Sequence, residues 1–145
     1  MSKEKESQSS DDKSVIDGDF YVGAYGPTLL LVLDSTSSAE RLRRLFLDQV
    51  DRMGRYELVD QLTTVNHLTS IGLVTNEEGR DLESKRVSNG SDDLLTLSGT
   101  KQGWRRAADL LEPFCLGQTG HQYLCEEDDD DALIEISYGE GLSLR

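Results

Sequence analysis

The chain has 145 residues, 36% of them hydrophobic and 30% charged, and a formal net charge of −13. That length suits one domain large enough to bury a real core. The charge argues against a broad basic surface for DNA, RNA or anionic lipid and favours a basic partner or simply solubility, and no apolar run approaches the roughly 20 residues that span a bilayer.

Residues 1–17 are rich in Ser, Lys, Glu and Asp and hold almost nothing apolar. Such a segment cannot offset its ordering entropy by burial and reads as a disordered tail, with a single folded domain over 18–145. It also lacks the apolar stretch of a secretory leader. Two cysteines, Cys115 and Cys125, are too few for a disulfide scaffold, so the expectation is a cytoplasmic protein with free thiols.

The fold opens with two strands, Phe20–Tyr25 and Thr28–Asp34, around a Gly26-Pro27 turn. The apolar run Leu29–Leu33 suits a strand covered on both faces. A helix follows, with Ser37 as N-cap and Glu40 completing a capping box. Ala39, Leu42, Leu45, Phe46, Gln49, Val50 and Met53 form its inner face, and Gly54 ends it. "RYELVDQL", Arg55–Leu62, reads as a strand, but Leu58, Leu62, Val65 and Leu68 also fit a helical spacing, and the alternatives stay open. Thr69–Thr75 is a further strand.

The second half repeats this order. "DLESKRV" and "DLLTLSG" are strands joined by a turn in which Asn89-Gly90 favours a tight hairpin. Thr100 caps a helix running to Leu116, with Trp104, Ala107, Ala108, Leu111 and Phe114 or Cys115 inward, and Pro113 kinks or shortens it. Strands His121–Cys125 and Ala132–Tyr138 close the chain. Aligned on Leu31 and Leu95, "LVLDSTSSAERLRRLFL" and "LTLSGTKQGWRRAADLL" match in pattern. The reading is an α+β fold: a largely antiparallel sheet with two helices on one face, built from a duplicated ββαββ unit with halves at about 18–78 and 79–145, sharing one core.

The most unusual segment is "GHQYLCEEDDDDALIEISY", in which Glu126, Glu127, Asp128, Asp129, Asp130 and Asp131 lie between two strands. It fits no EF-hand, lacking glycine at the sixth position and glutamate at the twelfth. The three readings are a solvated hairpin loop, a partner contact and a cation site. His67, Cys115, His121 and Cys125 have zinc-binding atoms but no compact zinc spacing. A Cys–His nucleophile pair has no local signature either, and both cysteines fall on expected core faces. "SGTKQG" opens a helix, where backbone N–H groups can hold an anion, but it lacks the P-loop ending. Trp104 is either a core residue or a partner hot spot. No catalytic motif and no cofactor signature occurs.

The stretch "LLTLSGTKQGWRRAADLLEPFCLGQTGHQYL", through Gly99, Thr100, Leu111, Gly120 and His121, resembles small acidic immunity proteins of bacterial polymorphic toxin systems. The resemblance covers the last third of the chain. It implies a cytoplasmic, non-enzymatic protein that binds and neutralises a cognate toxin, often a basic nuclease. The functional expectation is therefore a protein-binding module with no cofactor and no metal, meeting a basic partner through residues 126–131 and Trp104. The alternatives are a self-associating structural or regulatory domain and a metal- or thiol-dependent enzyme.

Overall fold

The computed structural model describes residues 14–89 and 92–139, which form three α-helices and nine strands in an α+β fold. The expected tail lies outside the described residues up to position 13. Beyond it the expectation is corrected, because strand β1 (Ile16–Gly23) begins inside the segment assigned to the tail and Ile16 is fully buried. Ser14 and Val15 are tied down as well: Val15 N–H donates to Asp34 Oδ1, and the Arg41 guanidinium donates to Ser14.

β1 pairs antiparallel with β2 (Gly26–Leu33), and Gly23 opposite Gly26 puts the two-residue turn at Ala24-Tyr25. The turn is thus two residues earlier than the sequence suggested. Gly26, at φ +95, closes it, and Pro27 enters the strand. Pro27 is tolerated because the neighbour on the far side of β2 pairs only from Thr28 onward, so no ladder bond needs its missing N–H.

Helix α1 (Thr36–Asp48) is capped by Ser35, not Ser37. Ser35 Oγ accepts from Ser38 N–H at 3.1 Å and Ser38 Oγ accepts from Ser35 N–H at 3.1 Å, so a serine takes the part expected of Glu40. Its inner face is as expected through Val50, including the buried Gln49, whose main-chain carbonyl accepts from Thr75 Oγ1. Met53 lies past the helix end and is 90% exposed. The ambiguous stretch resolves into neither alternative alone. A two-residue strand β3 (Tyr56–Glu57) leads into a 3-10 turn (Leu58–Gln61), then β4 (Thr64–Asn66) and β5 (Ser70–Thr75).

Strands β6 (Leu82–Asn89) and β7 (Asp92–Gly99) make the second hairpin, and Thr100 caps α2 (Lys101–Leu110) by accepting from Gly103 N–H. Gly103 is dictated by close approach, since a Cβ there would sit 1.7 Å from the Asp81 carbonyl oxygen. Pro113 splits the expected single helix: having no N–H for the Asp109 carbonyl, it starts a short α3 (Glu112–Cys115). β8 (Gly120–Leu124) and β9 (Leu133–Tyr138) complete the chain.

The strands form two mixed sheets instead of one. The first has the order β4-β1-β2-β9-β8 and the second β3-β5-β7-β6. Four of the seven pairings are antiparallel; β1–β4, β2–β9 and β5–β7 are parallel. Each hairpin therefore pairs with the last strand of the other half of the chain. One core spans both sheets and the buried sides of α1 and α2, with Phe46 and Trp104 rings 5.5 Å apart at its middle. The duplicated ββαββ unit is not reproduced: the first half has five strands and one α-helix and the second four strands and two α-helices, and in the register of their parallel pairs Leu95 corresponds to Leu29 and Leu97 to Leu31. The Leu31–Leu95 alignment is thus two residues out of step. No helix among the described residues is long and apolar enough to cross a membrane.

Candidate partner-binding surface

The acidic segment is a hairpin loop between β8 and β9, and it is divided in two. Its second half is docked against β6, the edge strand of the other sheet. Asp130 Oδ1 accepts from Ser84 N–H at 2.8 Å, and its Oδ2 accepts from Arg80 at 2.8 Å and from Glu127 N–H at 3.0 Å. Asp131 Oδ2 accepts from Arg86 N–H at 2.7 Å, while Asp131 N–H donates to the Ser84 carbonyl. Ser84 Oγ donates to the Ala132 carbonyl and accepts from Ala132 N–H. The loop thus satisfies backbone groups of β6 that would otherwise form an open edge.

Only 1% of the Asp130 side chain is exposed, so it is a structural ligand of Arg80 and Ser84 and not a surface for a partner. This corrects the expectation for Asp130. Asp129 is more open and pairs with Arg80 Nη1 at 2.9 Å. The Asp130 hydrogen bond, helped by the charges of Asp130, Asp129 and Glu127, raises the Arg80 pKa against the opposing effect of burial. Glu126, Glu127 and Asp128 are exposed, and none of the three carboxylates makes an ion pair among the described residues.

Trp104 is fully buried and its Nε1–H donates to the Val74 carbonyl, so the expected partner contact there is corrected to a core role. Burial pushes the Cys125 thiol up to about 12, with a smaller push from the Asp130 charge, and burial likewise raises Cys115. Neither environment favours a thiolate nucleophile. His67 faces Asp19 beyond β4, whereas the His121 ring packs on Tyr123. Among the described residues no three His, Cys, Asp or Glu side chains are grouped to hold a metal ion. The turn before α2 is filled by Asp81, whose carbonyl accepts from Thr100 N–H and whose carboxylate meets Arg106, a poor setting for an anion.

The open half of the loop borders a cleft of about 450 Å³ that is also lined by Tyr25 and Pro27 from the first hairpin, by Tyr123 and Leu133, and by the docked Asp130 and Asp131. Tyr25 is 86% exposed and its neighbour Val22 75%. Carboxylates and phenol rings thus share one concave surface, which suits cationic side chains through both charge and cation–π contact. Tyr123 precedes the loop on β8, but Tyr25 lies about 100 residues away in sequence, and only pairing of β2 with β9 brings it beside the loop. Arg80, just before β6 in the other sheet, meets the acidic segment only because that segment docks on β6. Comparison with protein-family models, curated proteins and solved structures finds no match.

Proposed function

We propose that the protein is a non-enzymatic binding module for a basic protein partner, in the manner of the acidic immunity proteins its last third resembles. The observation that carries this reading is the cleft, where the exposed residues Glu126, Glu127 and Asp128 share one concave lining with exposed Tyr25. The net charge of −13 adds a long-range field that would steer a cationic partner and repel a second copy. At the longest edge strand, β6, the self-association alternative is opposed by the chain's own loop, which occupies the Ser84 and Arg86 N–H groups. The raised thiols work against the thiol-enzyme alternative.

The test is co-purification of the intact chain from its native cell, followed by reconstitution with each basic protein recovered. A single cationic partner whose association slows with added salt and with Glu126→Gln, Glu127→Gln and Asp128→Asn together supports the reading. Turnover of any substrate by the purified chain, or a reconstituted partner with no basic surface, contradicts it.

A further inference from the structure

The face of the first sheet that points away from the core has a composition of its own. Alternation along the strands places Tyr21, Leu30, Val32, Leu133 and Tyr123 there, with Asp19 and Glu135 among them. Leu30 is buried yet stands outside the core cluster, as expected if it is covered from this outer side by its own neighbours. Tyr21 is held along the strand by a missing side chain, since a Cβ on Gly23 would sit 2.9 Å from the Tyr21 ring. Burial first, and then the charges of Glu135 and Asp19, raise the Tyr21 phenol pKa, so the shelf is apolar and negatively charged together. Tyr123 and Leu133 also line the acidic cleft, which makes face and cleft one continuous surface ending at Tyr25.

We propose that this outer face docks a basic protein segment in which arginine or lysine side chains flank an aromatic anchor, the anchor lying on the Tyr21–Tyr25 end of the shelf and the cations in the cleft. The proposal rests on the basic-partner reading above and names where and how that partner binds. Charge complementarity selects the occupant. A second copy brings a net charge of −13, and residues 1–13 of the chain carry four acidic against three basic side chains, so neither complements the surface. Exposed aromatic side chains beside exposed carboxylates match the anchor-plus-charge pattern of interface hot spots.

The experiment uses the full chain and three short synthetic peptides, alternating arginine with tryptophan, arginine with serine, and glutamate with tryptophan. Affinities are measured by calorimetry at near-physiological salt, and contacts by amide chemical shifts. The arginine–tryptophan peptide is expected to bind roughly tenfold tighter than arginine–serine, and glutamate–tryptophan not at all. Shifts should cover the exposed ends of β1 and β2 with β8, and Tyr21→Ser with Tyr25→Ser, both on exposed side chains, should weaken that peptide about tenfold. Equal binding of the two arginine peptides, or shifts confined to 126–128, overturns the docking face while leaving the basic-partner reading in place. If neither cationic peptide binds, both fall.

Discussion

Ser35 and Ser37 differ by two positions and by their whole energetic role. Both precede an apolar periodicity, and Ser37-x-x-Glu40 is the better match to a capping box. Position 34 decides against it. Asp34 closes the β1–β2 ladder and accepts from Ser35 Oγ, so the chain leaves the sheet at residue 35 and the helix starts at once. Ser35→Ala should therefore cost about 1 kcal/mol in denaturant unfolding and Ser37→Ala a few tenths at most. The reverse order would place the cap where the sequence motif alone suggests. Cys125 gives a second test at this scale. Its folded pKa of about 12 lies above the unfolded value near 9. Its neutral form therefore favours the native state below pH 9, and that contribution falls away as pH rises from about 9 toward 12. The thiol should resist iodoacetamide at pH 8 until the protein is unfolded, and Cys125→Ala should flatten the alkaline loss of stability. Rapid native labelling would show that the loop does not close over it.

Elements were legible where periodicity and punctuation agreed. The two hairpins, both helix faces and the break at Pro113 follow from alternation, from a 3.6-residue apolar spacing and from proline's missing N–H. The stretch from Tyr56 to Leu68 was not, because its apolar side chains serve two elements. Leu58 and Leu68 enter the core, while Val65 follows β4 along the edge of the first sheet. The acidic loop was the larger surprise. Charge repulsion argued for an open turn, yet backbone donors of β6 and the Arg80 guanidinium outweigh it for Asp130 and Asp131. Replacing both by Ala should leave the Ser84 and Arg86 N–H groups without these acceptors on an eight-residue edge strand. We expect concentration-dependent self-association of this variant in sedimentation velocity, and none of the unaltered chain. A variant that stays monodisperse at high concentration would mean the loop is not what protects that edge.

At the scale of the whole molecule, an α+β fold with one shared core was readable from element order, whereas the division into two sheets was not. Sequence pattern finds strands but does not say which strands pair, and here each hairpin takes its inner parallel partner from the other half. Fragments 1–78 and 79–145 should consequently be unfolded when separate, each lacking a partner strand for its hairpin, and should regain native circular dichroism when mixed. A half that folds alone would contradict the exchange. The same exchange brings the first hairpin beside the C-terminal acidic loop, and so creates the candidate surface. Its chemistry was partly visible as six consecutive carboxylates; its aromatic wall was visible only in three dimensions.

The account turns on the acidic block having two jobs, with Asp129–Asp131 holding the fold and Glu126–Asp128 left open for a partner. Thermal unfolding of two triple variants tests this most directly. Glu126→Gln, Glu127→Gln and Asp128→Asn together should leave the midpoint nearly unchanged, since all three side chains are exposed and none makes an ion pair among the described residues. Asp129→Asn, Asp130→Asn and Asp131→Asn together weaken the Arg80 pairing and the acceptors of Ser84 and Arg86, and should lower the midpoint by about 5 °C or more. Equal midpoints for the two variants, or a larger fall in the first, would contradict the account.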